Sequence, residues 1–262
     1  MNLERKGGTL AAYYRSISWC EPLAFKFLDG VLAALRALLT GKNPEYTLEA
    51  GCGTGYWLST LRELIPHLYG LDYSLEMLRK ARERDSRSAL VRATAEVLPF
   101  RDATFDLIFC VNAIHHFGRI DRFIGEARRL LRLGGTLAVI GMDPHQGRDD
   151  WCVYDYFPET KATDLARYPS SSQITDAMLR VGFDRVECGV ACRFAATRLG
   201  CAVFEDPELQ RRGCSQMALL TDEQYGAGIE RIRSALRSAN PEDPPAFKVD
   251  IAMMMQCGYI DD

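Results

Sequence analysis

The chain has 262 residues, 47% of them hydrophobic, which suits one compact α/β domain with room for an insertion. Its net charge of −3 argues against nucleic acid as a partner, because phosphate binding requires a concentrated basic face. The sequence predicts neither a membrane-spanning segment nor a signal peptide, and its nine scattered cysteines fit a reducing cytoplasm.

The first half of the chain predicts a parallel sheet. Residues 21–39 predict one or two helices, and residues 1–44 are expected to form a helical cap. From residue 45 to 142, short apolar runs alternate with amphipathic helices, as in a sheet with helical crossovers. The five predicted strands are residues 46–50, 67–71, 89–93, 107–112 and 136–142.

The helix before the fifth strand has the clearest pattern. Apolar residues recur at helical spacing from Ile120 to Leu131, and Gly134 with Gly135 is predicted to end the helix. The basic group Arg128, Arg129 and Arg132 is interpreted as an ordinary solvated face.

Residues 143–262 predict the outer part of the same domain. We expect an aromatic-rich loop at 143–169, a helix at 171–181, and final strands at 183–190 and 247–255. A helical insertion at 198–245 separates those strands. Its predicted capping box is Thr221 with Gln224, and its buried stripe is Tyr225, Ile229, Ile232 and Leu236.

The cysteines in this outer part do not predict a metal site. No second His or Cys pair lies at zinc-site spacing, so Cys188, Cys192 and Cys201 are expected to be buried apolar residues.

A glycine loop follows the first strand and opens a helix. Gly51, Gly53 and Gly55 alternate with other residues, which permits a sharp turn and a close approach of backbone to a ligand. The dinucleotide fingerprint is G-x-G-x-x-G, whereas Tyr56 stands where its last glycine belongs. The spacing therefore disfavours a pyrophosphate, and with it a nicotinamide oxidoreductase.

Three further segments follow successive strands. Asp72 ends the second strand, where an acidic side chain can accept hydrogen bonds from both ribose hydroxyls; a helix-start role is the alternative. Ser74 is expected to cap the next helix. The other two segments are residues 93–100 and 105–116.

Together these four segments resemble the class I S-adenosylmethionine-dependent methyltransferases, and most of all the small-molecule enzymes that include the quinone-biosynthesis methyltransferases. The resemblance is strong over residues 48–142. It implies a doubly wound sheet of seven mostly parallel strands with the last strand antiparallel, and S-adenosylmethionine as the methyl donor, with S-adenosylhomocysteine as product.

The resemblance also implies which residues hold the methyl donor. The three glycines border the methionine part and Glu49 helps to hold its amino group. Asp72 takes the ribose, and the remaining positions surround the adenine or complete the site. These are Tyr73, Met77, Thr94, Ala95, Glu96 and Asn112. Thr94 departs from the family, which usually has an aspartate there; a hydroxyl can replace one of its hydrogen bonds.

The predicted reaction is an in-line displacement, in which positioning and desolvation could supply most of the catalysis. His115 and His116, just past the fourth strand, are the candidate general bases if the acceptor must lose a proton early. The alternative is that these histidines only pack. The prolines and aromatic residue typical of amino-directed DNA methyltransferases are missing after Asn112.

The acceptor is predicted to be an unidentified small molecule, held by aromatic residues in the variable segments. The candidates are Tyr13, Tyr14, Trp19, Trp151, Tyr154 and Tyr156. Two other functions stay open: a non-catalytic S-adenosylmethionine-binding subunit that activates a partner, and, more remotely, methylation of a metalloid through thiolates. The sequence does not indicate an oligomeric state.

Overall fold

The computed structural model describes residues 22–211 and 213–261. These residues fall into two compact units. The sheet unit contains residues 30–143, 168–192 and 253 onward. The insertion unit contains the described residues up to Asp29 together with residues 144–167 and 193–252.

Helices and strands alternate along the first half of the described chain, and the second half is mostly helical until the last strand. In chain order they are α1 (Pro22–Leu39), β1 (Tyr46–Ala50), α2 (Tyr56–Leu61), β2 (His67–Asp72), α3 (Leu75–Arg84), β3 (Ala89–Arg92), β4 (Phe105–Val111), α4 (Ile120–Leu130), β5 (Leu131–Met142), β6 (Asp150–Trp151), α5 (Cys152–Tyr156), α6 (Pro158–Arg167), α7 (Ser171–Arg180), β7 (Arg185–Leu199), α8 (Ser215–Leu219), α9 (Asp222–Ser238) and β8 (Ala246–Tyr259).

The sheet has the strand order β3-β2-β1-β4-β5-β8. Strands β1 to β5 are parallel, and β8 runs antiparallel to β5, with Met142 opposite Met253 and Thr136 opposite Tyr259. The predicted mixed sheet with an antiparallel last strand is confirmed. Strand β7 also pairs with β8, and the two-residue β6 adds an eighth strand to the predicted seven.

The strand order reverses direction between β1 and β4. Because crossover connections between parallel strands are right-handed, this reversal places α2 and α3 on one face and α4 on the other. Helix α2 packs against α3, and α4 packs against α7, as this arrangement requires. A crevice therefore opens at the carboxyl ends of β1 and β4, where open α/β sheets bind their ligands.

The core beneath α4 and α7 is apolar and closed to solvent. Helix α4 buries one stripe at helical spacing, and α7 buries another. The buried residues of the two helices are Phe123, Ile124, Ala127, Leu130, Ile174, Ala177 and Met178. This packing fixes the positions of the strand ends that carry the functional residues.

The end of α4 differs from the prediction. The helix ends at Leu130, and β5 begins at the next residue, before the glycine pair that was expected to end the helix. Leu131 pairs with Phe105, but Leu107 pairs with Thr136, so the register shifts over this stretch. Gly134, with φ +72°, takes the backbone through that irregularity rather than ending the helix.

Three other predictions for the second half were wrong. The aromatic stretch at 143–169 contains β6, α5 and α6 rather than a loop, and β7 continues to Leu199. The cysteines expected to be buried are not: Cys188 is exposed and Cys192 partly buried because much of β7 faces solvent, and Cys201 is exposed in the 3₁₀ helix that follows β7.

The insertion unit contains the long helix α9. The predicted capping box is confirmed: Gln224 N–H donates to Thr221 Oγ1 over 3.2 Å, and Thr221 N–H donates to Gln224 Oε1 over 2.9 Å. Ile232 is fully buried, whereas the other three residues of the predicted stripe are only partly buried. Among the described helices, none is both long and apolar enough to cross a bilayer.

Candidate functional site

The glycine loop between β1 and α2 approaches its neighbours closely. Gly51 and Gly55 have φ values of +74° and +71°, which favour glycine. A Cβ on Gly51 would lie 2.6 Å from Ala113 Cβ, and a Cβ on Gly55 would lie 3.0 Å from the Ala81 Cα. The loop is therefore seated between the β4 end and α3, and side chains at these positions would displace it.

Backbone donors attach this loop to the end of β2. The N–H groups of Gly51 and Cys52 both donate to the Leu71 carbonyl, over 2.7 and 2.9 Å. Asp72 accepts from Gly53 N–H through Oδ2 over 2.9 Å and from Ser74 N–H through Oδ1 over 2.8 Å. Asp72 thus joins two loops. Ser74 caps α3, as predicted, by accepting from Met77 N–H over 3.3 Å.

Glu49, the residue before the end of β1, is a buried acid. Its side chain is 2% exposed, and Oε2 has no hydrogen-bond partner among the described residues. Burial and the nearby Asp72 carboxylate raise its pKa well above the ordinary value of 4.5, against the opposing effect of Leu58 N–H. Burial also raises the pKa of Asp72, while its backbone hydrogen bonds lower it. The crevice therefore holds two acids whose ionised forms a nearby cation would stabilise.

Asn112 follows β4 directly and faces the same crevice end of the sheet. Its φ of +49° is left-handed, and its N–H donates to the Ile140 carbonyl over 2.8 Å. The buried Oδ1 has no hydrogen-bond partner in the described part of the chain. Its neighbour Ala113 faces Gly51, and Oδ1 itself lies near Gly141 of β5, where a Cβ would be 3.9 Å away.

The predicted adenine residues are spread over two segments. On the first, Tyr73 is 64% exposed and Met77 is buried in α3. On the β3–β4 connection, Thr94 is exposed, Ala95 is buried and Glu96 is partly buried. The Arg92 guanidinium lies over the exposed Tyr73 ring, 5.8 Å from its centroid.

The two histidines lie in one turn of 3₁₀ helix directly after β4. His115 is buried and its ring stacks on Tyr168, with 3.9 Å between centroids and 18° between planes. His116 is exposed, and its ring centroid lies 4.0 Å from that of His115. Sequence reasoning missed Tyr168, because nothing in its local pattern indicates this stacking.

The described candidates for acceptor binding lie in the insertion unit. Trp151 is buried and makes an edge contact with Tyr154, whose hydroxyl donates to the buried Asp164 over 2.9 Å. Tyr156 contacts Phe247, and Trp151 lines a small cavity with that ring. Tyr13, Tyr14 and Trp19 lie outside the described residues. No group of His, Cys, Asp or Glu within residues 22–211 and 213–261 could hold a metal ion.

Comparison with known proteins identifies the family of this chain. Residues 48–139 match a family model described as a methyltransferase domain. A demethylmenaquinone methyltransferase of Thermotoga maritima is 32% identical over 168 residues, which cover 56% of this chain and 73% of that protein. The chain belongs to the class I S-adenosylmethionine-dependent methyltransferases.

Other methyltransferases share part of the sequence or the fold. A malonyl-[acyl-carrier protein] O-methyltransferase of Hamiltonella defensa is 36% identical over 127 residues, 48% of this chain and 46% of that protein. The chain thus spans less than half of this relative. A Haemonchus contortus phosphoethanolamine N-methyltransferase with bound S-adenosylmethionine has the same fold, at 19% identity and a TM-score of 0.56, covering 89% of this chain and 53% of that one.

The crevice of this methyltransferase fits the chemistry of its methyl donor. S-adenosylmethionine carries an ammonium, a sulfonium and a ribose diol. Glu49 and Asn112 each carry a buried oxygen without a hydrogen-bond partner among the described residues, and an ammonium is a donor to such oxygens. The Asp72 carboxylate is a group of the type that accepts hydrogen bonds from a diol.

We predict that Glu49→Gln stabilises the cofactor-free methyltransferase and weakens its binding of S-adenosylhomocysteine. Because the pKa of Glu49 is raised in the folded state, protonation of Glu49 stabilises the fold. This stability is fully present at pH values below the pKa of the unfolded state and is lost as the pH rises through the pKa of the folded state. Glutamine does not ionise, so the variant does not lose this stability. The unfolding free energy of the variant should therefore exceed that of wild type by an amount that grows with pH to about 1–3 kcal/mol. Its affinity for the ligand should fall roughly tenfold or more.

Denaturant unfolding over a pH series and calorimetric titration measure the two effects. For the unfolding measurement Glu126→Gln is the matched control, because the Arg129 guanidinium lowers the pKa of Glu126. This second variant should be destabilised at neutral pH. A Glu49→Gln variant less stable than wild type throughout would contradict the prediction.

Proposed function

We propose that this methyltransferase transfers a methyl group to a small molecule by in-line displacement, in a cytoplasm. S-adenosylmethionine supplies the methyl group already activated on a sulfonium. The observation that carries the proposal is the pair of acids beside the glycine loop, the buried Glu49 and the partly buried Asp72. The eight cysteines of the described residues are all free thiols, which supports a reducing compartment.

In this proposal the protein acts mainly by orientation. Glu49 and Asn112 hold the ammonium, while Asp72 holds the ribose diol and the close backbone at Gly53 borders the methionine chain. Tyr73 stacks on the adenine, with Met77 beneath it and residues 94–96 along its edge. Fixing the donor in this way converts a bimolecular encounter into an ordered approach of acceptor to methyl group.

The acceptor is a small organic molecule rather than a nucleic acid. The names of two relatives specify demethylmenaquinone and malonyl-[acyl-carrier protein] as what those proteins act on, and neither is a nucleic acid. The net charge of −3 provides no general attraction for nucleic acid phosphates. In this proposal the partly exposed Tyr154 and Tyr156 supply aromatic surface for such an acceptor, together with Tyr13, Tyr14 and Trp19, while Trp151 is buried against Tyr154.

We propose His116 as the group that accepts a proton from the acceptor, and His115 as the residue that orients it. His116 is exposed at the end of β4, so it can exchange its proton with solvent. His115 is held between His116 and the ring of Tyr168, which restricts its movement.

Methyl-labelled S-adenosylmethionine tests the proposed acceptor class. Incubated with a cell extract, the enzyme should place label in the fraction of small organic molecules, and Asp72→Ala should abolish the transfer. Separate arms contain total nucleic acid and total protein. Label that accumulates in either macromolecular arm, and not in the small molecules, would contradict the proposal.

A second prediction concerns the base. Replacing His116 with Gln should flatten the acidic limb of the pH–rate profile and reduce turnover about 10²–10⁴-fold, because the titrating group is lost. His67→Gln is the matched control, because His67 is exposed at the start of β2, whereas the site lies at the strand ends. This variant should change neither the acidic limb nor the turnover. An unchanged acidic limb in His116→Gln would contradict the proposed base and leave the positioning of the two reactants as the source of catalysis.

A further inference from the structure

Arg129 does not belong to a solvated basic face. All three guanidinium nitrogens are engaged, and its side chain is 33% exposed. Nε and Nη2 donate to the two carboxylate oxygens of Glu126, each over 2.8 Å. This fork lowers the pKa of Glu126 and fixes the plane of the guanidinium.

The same two side chains hold the connection between β3 and β4. Arg129 Nη2 donates to the Leu98 carbonyl and Nη1 donates to the Phe100 carbonyl, both over 3.1 Å. Nη1 also donates to Asp102 Oδ1 over 2.6 Å, and Glu126 Oε2 accepts from Leu98 N–H over 2.8 Å. Four hydrogen bonds thus attach residues 98–102 to one turn of α4.

Backbone hydrogen bonds and packing hold the residues just before this connection. Val97 N–H donates to the Thr94 carbonyl over 3.3 Å, Phe100 N–H donates to the Leu98 carbonyl over 2.8 Å, and the Glu96 side chain packs against Gly118. Thr94 is exposed and Val97 is 64% exposed, so core packing holds mainly Ala95 and Leu98. A shift at Leu98 would therefore be transmitted to residues 94–96, which lie two to four positions earlier in the chain.

We propose that the Glu126–Arg129 pair is a positioning device that sets residues 94–96 at the distance needed to read the adenine edge, and so makes the enzyme selective for adenine over other purines. This inference rests on the proposed placement of the methyl donor. Neither side chain contacts the ligand; both act through the backbone of Leu98.

An arginine is required because one planar group must satisfy two carbonyls and two carboxylates in fixed directions. A lysine ammonium at position 129 could neutralise the acids, but it is a point charge without this fork. Arg128, its neighbour, offers a contrast: its Nε donates to the Gly182 carbonyl over 2.7 Å, away from the β3–β4 connection.

The test compares the dissociation constants of S-adenosylhomocysteine and S-inosylhomocysteine, which has a carbonyl in place of the 6-amino group. Wild type and Arg128→Gln should share the same preference for the adenine form. Arg129→Gln should reduce the ratio of the two constants by about two- to tenfold, the value of one hydrogen bond. Arg129→Lys, which keeps the charge and so favours folding, should reduce it as well.

A loss of stability alone would leave this ratio unchanged in the folded molecules, so the ratio separates positioning from structural support. If wild type discriminates and both Arg129 variants retain its ratio, the inference is wrong while the placement of the donor stands. If wild type itself binds both ligands equally, the proposed placement of adenine is wrong, and the inference falls with it.

Discussion

The burial of an acidic side chain next to a second acid is the constraint on which this site depends. Glu49 is 2% exposed, one of its oxygens has no partner among the described residues, and Asp72 adds a second negative charge nearby. Burying such a group costs free energy unless it is protonated or paired. The fold bears this cost because β1 places Glu49 in a crevice that an ammonium-bearing ligand can complete.

The surrounding loops keep that crevice in one shape. Asp72 links the glycine loop to the start of α3, and Ala113 limits the position of Gly51 from the β4 side. Farther along the sheet edge, Arg129 attaches residues 98–102 to α4. The glycine loop is therefore positioned by backbone hydrogen bonds, by Asp72 and by steric contact with Ala113, whereas residues 98–102 are positioned by the side chains of Glu126 and Arg129.

The sequence predicted the sheet unit well because its strands and helices have regular periods and the glycine loop has a distinctive spacing. It failed where distant pairing decides the outcome. Leu131 extends as a strand because it pairs with Phe105, and Arg129 is drawn from the surface by Leu98 and Asp102, 27–31 residues away. Tyr168 meets His115 only through the tertiary fold. Local patterns do not record such contacts.

Proton release on ligand binding tests the central claim most directly. Calorimetric titration of S-adenosylhomocysteine at mildly acidic pH, in buffers of different ionisation enthalpy, measures it. A bound ammonium should lower the pKa values of Glu49 and Asp72, so wild type should release protons, and Glu49→Gln should release fewer. Binding without proton release, or with equal release by the variant, would contradict the claim that a bound ammonium stabilises the ionised form of Glu49.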